Sequence, residues 1–279
     1  MTMDGAADLA VTGTMLTHVG RVRELNEDVV EYVLPDAAAS GGRRGLFALV
    51  ADGMGGHAAG EVASRLAADT IRQLFYELEG PPPDVLRACF EAANEAIYAL
   101  SMSDPACAGM GTTCTVLTIR DGQAFLAHIG DSRAYLLRNG TLYQLSQDHS
   151  LVAAMVRDGL MTPQEAARSP ERNVILRALG TEPRVEPDIW CEGLPVLEGD
   201  VFLLCSDGLT DLVDDKTIEA TLKSLIAFDA CHALLDAALN AGGTDNISIG
   251  VFDIGARKLE EVPPGDTRPM PRRVLEDAA

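Results

Sequence analysis

Lysine is scarce in this 279-residue sequence: only Lys216, Lys223 and Lys258 occur, and arginine supplies most of the positive charge. Acidic residues number 42 against 22 basic ones, so the formal net charge is −20. A nucleic-acid binder needs basic stripes that neutralise phosphates. The charge balance therefore argues against a nucleic-acid partner.

Long apolar runs are also missing. The longest ones, such as Val201–Cys205, are far too short to cross a bilayer. The N-terminus has no basic region followed by an apolar stretch, so no secretory signal is predicted. We therefore expect no membrane association.

No CxxC pair occurs among the six cysteines, which are Cys89, Cys107, Cys114, Cys191, Cys205 and Cys231. Most of them stand in apolar surroundings, which is typical of buried, reduced thiols. This pattern favours a cytoplasmic protein.

Several catalytic motifs are absent as well. The sequence has no GxxxxGK[ST] phosphate loop, no GxSxG nucleophile elbow and no HExxH zinc helix. It also lacks the His-Cys-x5-Arg arrangement of cysteine phosphatases. These absences exclude the corresponding mechanisms.

The pattern of apolar residues predicts many strands, with helices in pairs between them. We predict strands at Val11–Thr17, Val29–Val33, Phe47–Ala51, Thr112–Ile119, Ala124–Ile129, Arg133–Arg138, Thr141–Leu145, Pro187–Cys191, Val201–Cys205 and Ile247–Phe252. Asp121-Gly122 and Asn139-Gly140 are hairpin-turn pairs, which favour antiparallel neighbours.

Helical spacing predicts helices at Glu61–Leu78, Asp84–Leu100 (capped by Asp84), Asp215–Leu225 and Asp229–Leu239. Regular strand–helix–strand alternation is absent, which argues against a doubly wound parallel sheet. The expected class is α+β, with helices covering the faces of antiparallel sheets.

Composition divides the chain into one domain and two tails. Residues 1–10 form a loose N-terminal tail, 11–255 the domain, and 256–279 a flexible C-terminal tail rich in proline and charge. Residues 146–180 are polar and mostly helical in pattern, with a short helix starting at Thr162-Pro163, and they read as an inserted subdomain.

Four strand-like apolar runs stand beside an aspartate that neighbours glycine or asparagine: Asp52, Asp131, Asp207 and Asp245. Strand ends present side chains to a cleft, where converging carboxylates repel. Two unit charges about 4 Å apart cost about 4 kcal/mol at an effective dielectric of about 20. A divalent cation reverses that sign. The pattern therefore indicates an oxygen-ligated site of the kind that Mg²⁺ or Mn²⁺ prefers.

The candidate site residues also have simpler interpretations. Asp52-Gly53 could be a plain turn, although the glycine-rich loop that follows argues for a site. Asp131 could bind a cation or pair with Arg133. Glu27-Asp28 could act at the cation, directly or through a neighbour, or merely lie exposed before a strand. Arg23 could bind phosphate bidentately or be a surface arginine.

Seven ordered motifs point to one family. They are Arg23–Asp28, Val50–His57, Gly109–Thr113, Gly130–Arg133, Arg172–Gly180, Ser206–Gly208 and Gly243–Asn246, and they cover roughly Thr14 to Asp253. Through them the chain resembles the metal-dependent serine/threonine protein phosphatases of type 2C, in their bacterial form.

The resemblance implies a four-layer αββα sandwich, with two central antiparallel β-sheets flanked by helices. It implies two core Mn²⁺ or Mg²⁺ ions and a third, weaker site. The implied ligands are Glu27, Asp52, the Gly53 carbonyl, Asp131, Asp207 and Asp245. Asp52 would bridge the two core ions, and residues 146–180 would be a mobile flap.

The resemblance also implies the chemistry. A hydroxide bridging the metals would attack phosphorus in line, without a covalent intermediate. Arg23 would hold the phosphate, Asp28 would orient the attacking water, and His57 would protonate the leaving serine or threonine. Substrates would be phosphorylated proteins, the opposing enzyme a bacterial serine/threonine kinase, and the chain a monomer.

One departure from the family pattern occurs in the flap, where Ser169-Pro170 replaces the His-Pro found in many bacterial relatives. Two other functions stay open on the residues. A regulatory scaffold without catalysis would have lost a ligand, and none is lost. A phosphatase of partner-switch regulators is disfavoured by the Gly130–Arg133 motif and by the flap length.

Overall fold

The structure, a computed structural model, describes residues 9–35, 45–55, 59–255 and 273–274. These residues contain thirteen strands, seven α-helices and one short 3₁₀ helix (Pro105–Cys107). The strands are β1 (Val11–His18), β2 (Asp28–Val33), β3 (Leu46–Met54), β4 (Gly111–Thr112), β5 (Cys114–Arg120), β6 (Gln123–Ile129), β7 (Arg133–Arg138), β8 (Thr141–Gln144), β9 (Asp188–Ile189), β10 (Leu194–Pro195), β11 (Val201–Cys205), β12 (Ile247–Ile254) and β13 (Arg273–Val274). The helices are α1 (Ala59–Glu77), α2 (Pro82–Ser103), α3 (Leu151–Arg157), α4 (Pro163–Ala166), α5 (Asp207–Thr210), α6 (Asp215–Ser224) and α7 (Ala227–Asn240).

Two sheets form the centre of the fold. One has the order β1-β12-β11-β7-β8-β13, and the other β10-β6-β5-β3-β2, with β4 and β9 attached at its side. Among the described strands, every pairing is antiparallel except that of β13 with β8.

Strand β3 shows how the layers arise from the sequence. Its apolar run has no polar face, because successive side chains point to opposite faces of a sheet and both faces are covered. Leu46, Ala48 and Val50 pack into the core between the two sheets. Phe47 and Leu49 pack on the opposite side, against α1 and α2.

The other sheet carries α6 and α7 on its outer face, packed through Ile218, Leu222 and Leu234. With α1 and α2 on one side and α6 and α7 on the other, the four-layer αββα arrangement is confirmed.

Both predicted hairpin turns are confirmed. Asp121 and Gly122 have φ of 53° and 72°, and Asn139 and Gly140 have φ of 52° and 74°. Two successive residues with positive φ are typical of the type I′ turn, whose twist matches that of the flanking strands.

Several predicted boundaries are wrong. Asp84 does not cap α2: the cap residue is Pro81, the helix starts at Pro82, and Asp84 lies in the first turn. Proline presets the φ that the first helical residue needs, so Pro82 extends the helix upstream. The predicted strand Thr112–Ile119 divides into β4 and β5, and the predicted strand Pro187–Cys191 shrinks to β9.

Residues 146–180 are not mostly helical, because α3 and α4 are their only described helices and together span few of them. The helix predicted at Thr162-Pro163 is confirmed as α4. It begins with a capping box in which Thr162 and Glu165 satisfy each other's backbone N–H groups.

The tails predicted at 1–10 and 256–279 fall mostly outside the described residues. Within that C-terminal stretch, β13 pairs with β8. Across the described residues, the helices include none with the length and apolarity needed to span a bilayer.

Candidate functional site

Three of the predicted acids lie next to the ends of neighbouring strands, at the same end of one sheet. Asp131 lies just before β7, Asp207 just after β11 and Asp245 just before β12. The register pairs Cys205 with both Arg133 and Ile249, so the three strand ends are adjacent. Antiparallel pairing therefore brings together acids that are far apart in the sequence.

The other sheet supplies a facing pair. Asp28, the first residue of β2, stands opposite Asp52 of β3. Asp28 is buried, and its Oδ2 accepts a hydrogen bond from the Ser206 hydroxyl at 2.8 Å, which links the two sheets. Burial, partly offset by hydroxyl hydrogen bonds, raises the pKa of Asp28 to about 6.

Mutual repulsion shows that the acids converge. Asp52 keeps some contact with solvent, yet its enclosure raises its pKa well above the usual value, and the charges of Asp28, Asp207, Asp131 and Asp245 add to that shift. Burial likewise raises the pKa of Asp207 strongly. The charges of Asp131, Asp211, Asp245 and Asp28 reinforce it.

Asp131 does not pair with Arg133, so that alternative is wrong. Arg133 instead binds Asp148 through Nε at 3.0 Å and Nη2 at 2.6 Å. Burial, with the charge of Asp148, raises the pKa of Asp131 to about 7. Asp131 is thus left available to a cation.

Glu27 and Gly53 meet at the start of α1. The Gly53 N–H donates to the Glu27 carbonyl at 3.1 Å. A Cβ at Gly53 would collide with the backbone oxygens of Gly60 and Glu27, so only glycine permits this approach. Burial raises the pKa of Glu27, while Arg23 and the backbone N–H groups of Gly60 and Glu61 oppose the shift.

Arg23 stands at the rim of the acids. Its Nη2 donates to Asp245 Oδ2 at 2.7 Å, and its side chain is 51% exposed to solvent. The hydrogen bond and charge of Asp245 raise the pKa of Arg23, with smaller contributions from Glu27 and Asp52. Arg23, which the sequence left open between a phosphate-binding and a surface arginine, is thus both exposed and bound to one of the acids.

The residues present fit divalent cations. Three buried oxygens of these acids have no hydrogen-bond partner among the described residues: Asp28 Oδ1, Asp131 Oδ1 and Asp207 Oδ1. Such oxygens are costly unless a cation or water uses them. Within the described ranges, no group of three or more His, Cys, Asp or Glu side chains is arranged so that it could hold a metal ion. Mg²⁺ keeps several waters and needs only one or two carboxylates, so an open ring of acids suits it.

Some contributing residues were missed from the sequence. Ser206 joins Asp28 to the other sheet, and Asp211 adds a further charge beside Asp131 and Asp207. Asn246 accepts from the Glu27 N–H at 2.7 Å and donates to the carbonyls of Val19 and Leu25. Their positions beside Asp207 and Asp245 were the available signal. His57 lies outside the described residues.

Comparison with known proteins agrees with this geometry. The family model described as protein phosphatase 2C matches residues 25–240. The serine/threonine protein phosphatase PstP of Mycobacterium tuberculosis is 42% identical over 238 residues, 84% of this chain. That match spans 43% of PstP, so the chain covers less than half of this relative's length. The protein phosphatase PhpP of Streptococcus pneumoniae is 37% identical over 88% of this chain and 99% of PhpP.

A solved structure supports the same assignment. The catalytic domain of the serine/threonine protein phosphatase PstP, in complex with two manganese ions, superposes with a TM-score of 0.77 at 38% identity. It covers 89% of this chain and 100% of that one. With the family match extending over most of its length, this chain belongs to the protein phosphatase 2C family.

Proposed function

We propose that this protein hydrolyses phosphoserine and phosphothreonine in other proteins, using Mn²⁺ or Mg²⁺. The observation that carries the proposal is the convergence of five aspartates beside an accessible arginine. Three of their buried oxygens lack a hydrogen-bond partner in the part of the chain that the structure describes. The names of PstP and PhpP support the same reaction class.

Asp52, Asp207 and Asp245 would hold the core ions, with Glu27 and the Gly53 carbonyl at the second of them and Asp131 at a third, weaker site. When bound, the ions would supply positive charge that offsets the acids, activates water and draws charge from the phosphate oxygens. A manganese pair in the PstP catalytic domain supports a two-ion core.

The protein's own groups would position the reactants. Arg23 offers a planar fork of N–H donors that matches two phosphate oxygens, and its exposure lets a phosphorylated side chain reach it. Asp28 is fixed through Oδ2 by Ser206, so its Oδ1 would accept a hydrogen bond from the attacking water. Direct attack by water would leave no phosphoenzyme, and His57 would donate the proton that the leaving alkoxide needs.

The expected physiological setting is the reversal of a bacterial serine/threonine kinase. We also propose a cytoplasmic location, since the cysteines are free and, apart from Cys191, buried. A monomer remains our expectation from the family resemblance.

The test is phosphate release from phosphothreonine and phosphotyrosine peptides, with Mn²⁺ and with EDTA. We expect release that needs Mn²⁺ and favours phosphothreonine. D52N should lower turnover at least about a hundredfold, since even residues that only support metal ligands cost 10- to 100-fold.

D69N is the matched control, because Asp69 lies on α1 with a half-exposed side chain and is not one of the acids that shift Asp52. It should behave as wild type. If neither Mn²⁺ nor Mg²⁺ gave phosphate release although the protein bound Mn²⁺, the result would instead support a regulatory scaffold.

A further inference from the structure

One histidine holds both backbone groups of the residue that precedes Asp131. The Gly130 N–H donates to His149 Nδ1 at 3.1 Å, and the His149 N–H donates to the Gly130 carbonyl at 2.7 Å. His149 is buried, with 3% of its surface exposed. Competition from water is therefore small, and the orientation of Gly130 depends on this one residue.

Gly130 needs such support, because its backbone is unusual. Its φ is +107°, which side-chain-bearing residues rarely adopt, and a Cβ there would collide with Thr113. The next residue is Asp131, whose buried Oδ1 has no hydrogen-bond partner within the described ranges. A contact that holds the Gly130 backbone in place therefore also sets the direction from which the Asp131 carboxylate would approach a cation.

His149 itself lies near the start of the flap segment (146–180), and its remaining contacts reach the end of that segment and β9. Its carbonyl accepts from the Leu176 N–H at 2.7 Å, and its Nε2 lies 3.2 Å from Asp188 Oδ2. Asp188 Oδ1 in turn accepts from Arg177 Nη1 at 3.1 Å. His149 thus joins the Gly130-Asp131 loop to the place where the flap segment returns to the core.

These contacts also define the protonation of the ring. A backbone N–H can only donate, so Nδ1 must carry no proton. The ring proton is then on Nε2, which donates to Asp188. The two ring nitrogens have separate tasks: Nδ1 supports Gly130, and Nε2 anchors the ring.

We propose that His149 is a positioning residue that holds Asp131 ready to bind a cation, acting through the Gly130 backbone. The inference rests on the proposed function, since it takes Asp131 as a ligand of the weaker site. His149 itself touches neither cation nor phosphate.

Two substitutions separate the tasks of the ring. In H149N the side-chain oxygen takes the place of Nδ1 and still accepts from Gly130, but contact with Asp188 is lost. In H149Q the longer amide reaches the place of Nε2 and can donate to Asp188, but no acceptor faces Gly130. A merely structural role would make both substitutions costly, whereas the proposal makes only H149Q deficient in cation binding.

The experiment is a calorimetric titration of the metal-stripped full-length protein with Mn²⁺, with thermal unfolding of each variant recorded in EDTA. We expect H149Q to weaken the lowest-affinity Mn²⁺ step by about 10- to 100-fold, as residues that orient metal ligands do. H149N should stay within about threefold of wild type. D131N should abolish the step, and D131N/H149Q should bind no more weakly than D131N, because both changes act on one ligand.

The outcomes that overturn the proposal are distinct. Wild-type Mn²⁺ affinity in a folded H149Q would reduce His149 to a structural residue. Loss of the weak step in a folded H149N would do the same, and this arm holds even where H149Q does not fold. Wild-type protein that binds no Mn²⁺ would overturn the proposed function together with the inference.

Discussion

Asp28 and Asp52 face each other across two strands, an arrangement in which like charges destabilise a sheet. Burial and neighbouring acids are the largest causes that raise the pKa of both acids, and the charge of Arg23 is only a small influence on Asp52. The cost is therefore met by protonation or by a bound cation. An arrangement that is unfavourable in the protein alone is how a fold acquires a strong preference for a divalent ion.

Replacement of Arg23 by lysine tests the phosphate contact. R23K keeps the charge but loses the planar fork, so we expect KM for a phosphothreonine peptide to rise about tenfold, with a smaller change in kcat. The measurement is steady-state kinetics at saturating Mn²⁺.

R21K is the matched control, because Arg21 is exposed and its backbone N–H, rather than its guanidinium, binds Gly243. An equal rise of KM in both variants would contradict the specific role of Arg23.

His128 makes a prediction about pH. It is fully buried, donates from Nε2 to the Gln147 carbonyl at 3.1 Å, and accepts at Nδ1 from Thr115. Burial, followed by the charge of His149, lowers the pKa of His128 to about 4, although Asp148 and Asp188 oppose the shift.

An unfolded histidine titrates near 6.5, so between pH 6.5 and 4 the unfolded chain binds more protons than the folded one. Stability is therefore lost as pH falls through this window. Between pH 7 and pH 5 we expect wild type to lose about 2 kcal/mol more than H128N, measured by urea unfolding in EDTA. His149 and the acids are common to both proteins, so their titration cancels. Equal losses in the two proteins would show that His128 does not carry the effect.

Residue types and spacing were enough to predict that the acids converge, because strand ends meet in any layered sheet. They left Arg23 open between a phosphate-binding and a surface arginine. They left Asp131 ambiguous, since nothing local reveals that Arg133 is taken by Asp148. The roles of Ser206 and His149 were out of reach for a similar reason: their partners Asp28 and Gly130 are set by which strands become neighbours.

At the scale of elements, the packing of the short helix α5 keeps Asp207 close to Asp245. A Cβ at Gly208 would collide with the carbonyl oxygen of Asn246, so α5 packs backbone to backbone against the loop that carries Asp245. G208A should cost about 1–3 kcal/mol of stability and weaken Mn²⁺ binding, because the two segments must move apart.

The control is G199A, where φ is +90° but no atom lies within 4 Å of the added Cβ. It should cost about 1–2 kcal/mol of stability from backbone strain alone and leave Mn²⁺ affinity unchanged. Thermal unfolding and calorimetric titration measure both quantities. Mn²⁺ affinity in G208A equal to wild type would contradict the account.

Elements with strong local signals were predicted well. The type I′ turns and the strongly amphipathic α1 and α7 needed no tertiary information. The flap segment was predicted poorly. Its polar sequence has the pattern of helices, but its chain is held by isolated contacts such as the Ser150–Ile175 bridge. The two-residue strands β4, β9 and β10 exist only because longer strands lie beside them.

At the scale of the whole molecule, the acids come from segments between Glu27 and Asp245 and from both sheets. A cation bound to them therefore stabilises the fold as a unit. We expect Mn²⁺ at a hundredfold excess over its Kd to add about 2.7 kcal/mol to the free energy of unfolding.

Trp190, the single tryptophan, packs against the core between the sheets and reports tertiary structure there. Its fluorescence and the far-ultraviolet circular dichroism should shift together in urea titrations with Mn²⁺, and D52N should lose most of the shift. A Mn²⁺ effect on one signal only would indicate local ordering instead.

Strands β1 and β12 run side by side for their full length, pairing His18 with Ile247 at the end near the acids and Val11 with Ile254 at the opposite end. At that opposite end the Gly255 N–H donates to the Ala10 carbonyl at 2.7 Å. Both ends of the domain therefore leave at one corner, about 25 Å from the acids. Additions at either end would start away from the acids. The same geometry makes the domain a good candidate for circular permutation, with a short linker closing this corner and new termini opened at the Asp121-Gly122 turn.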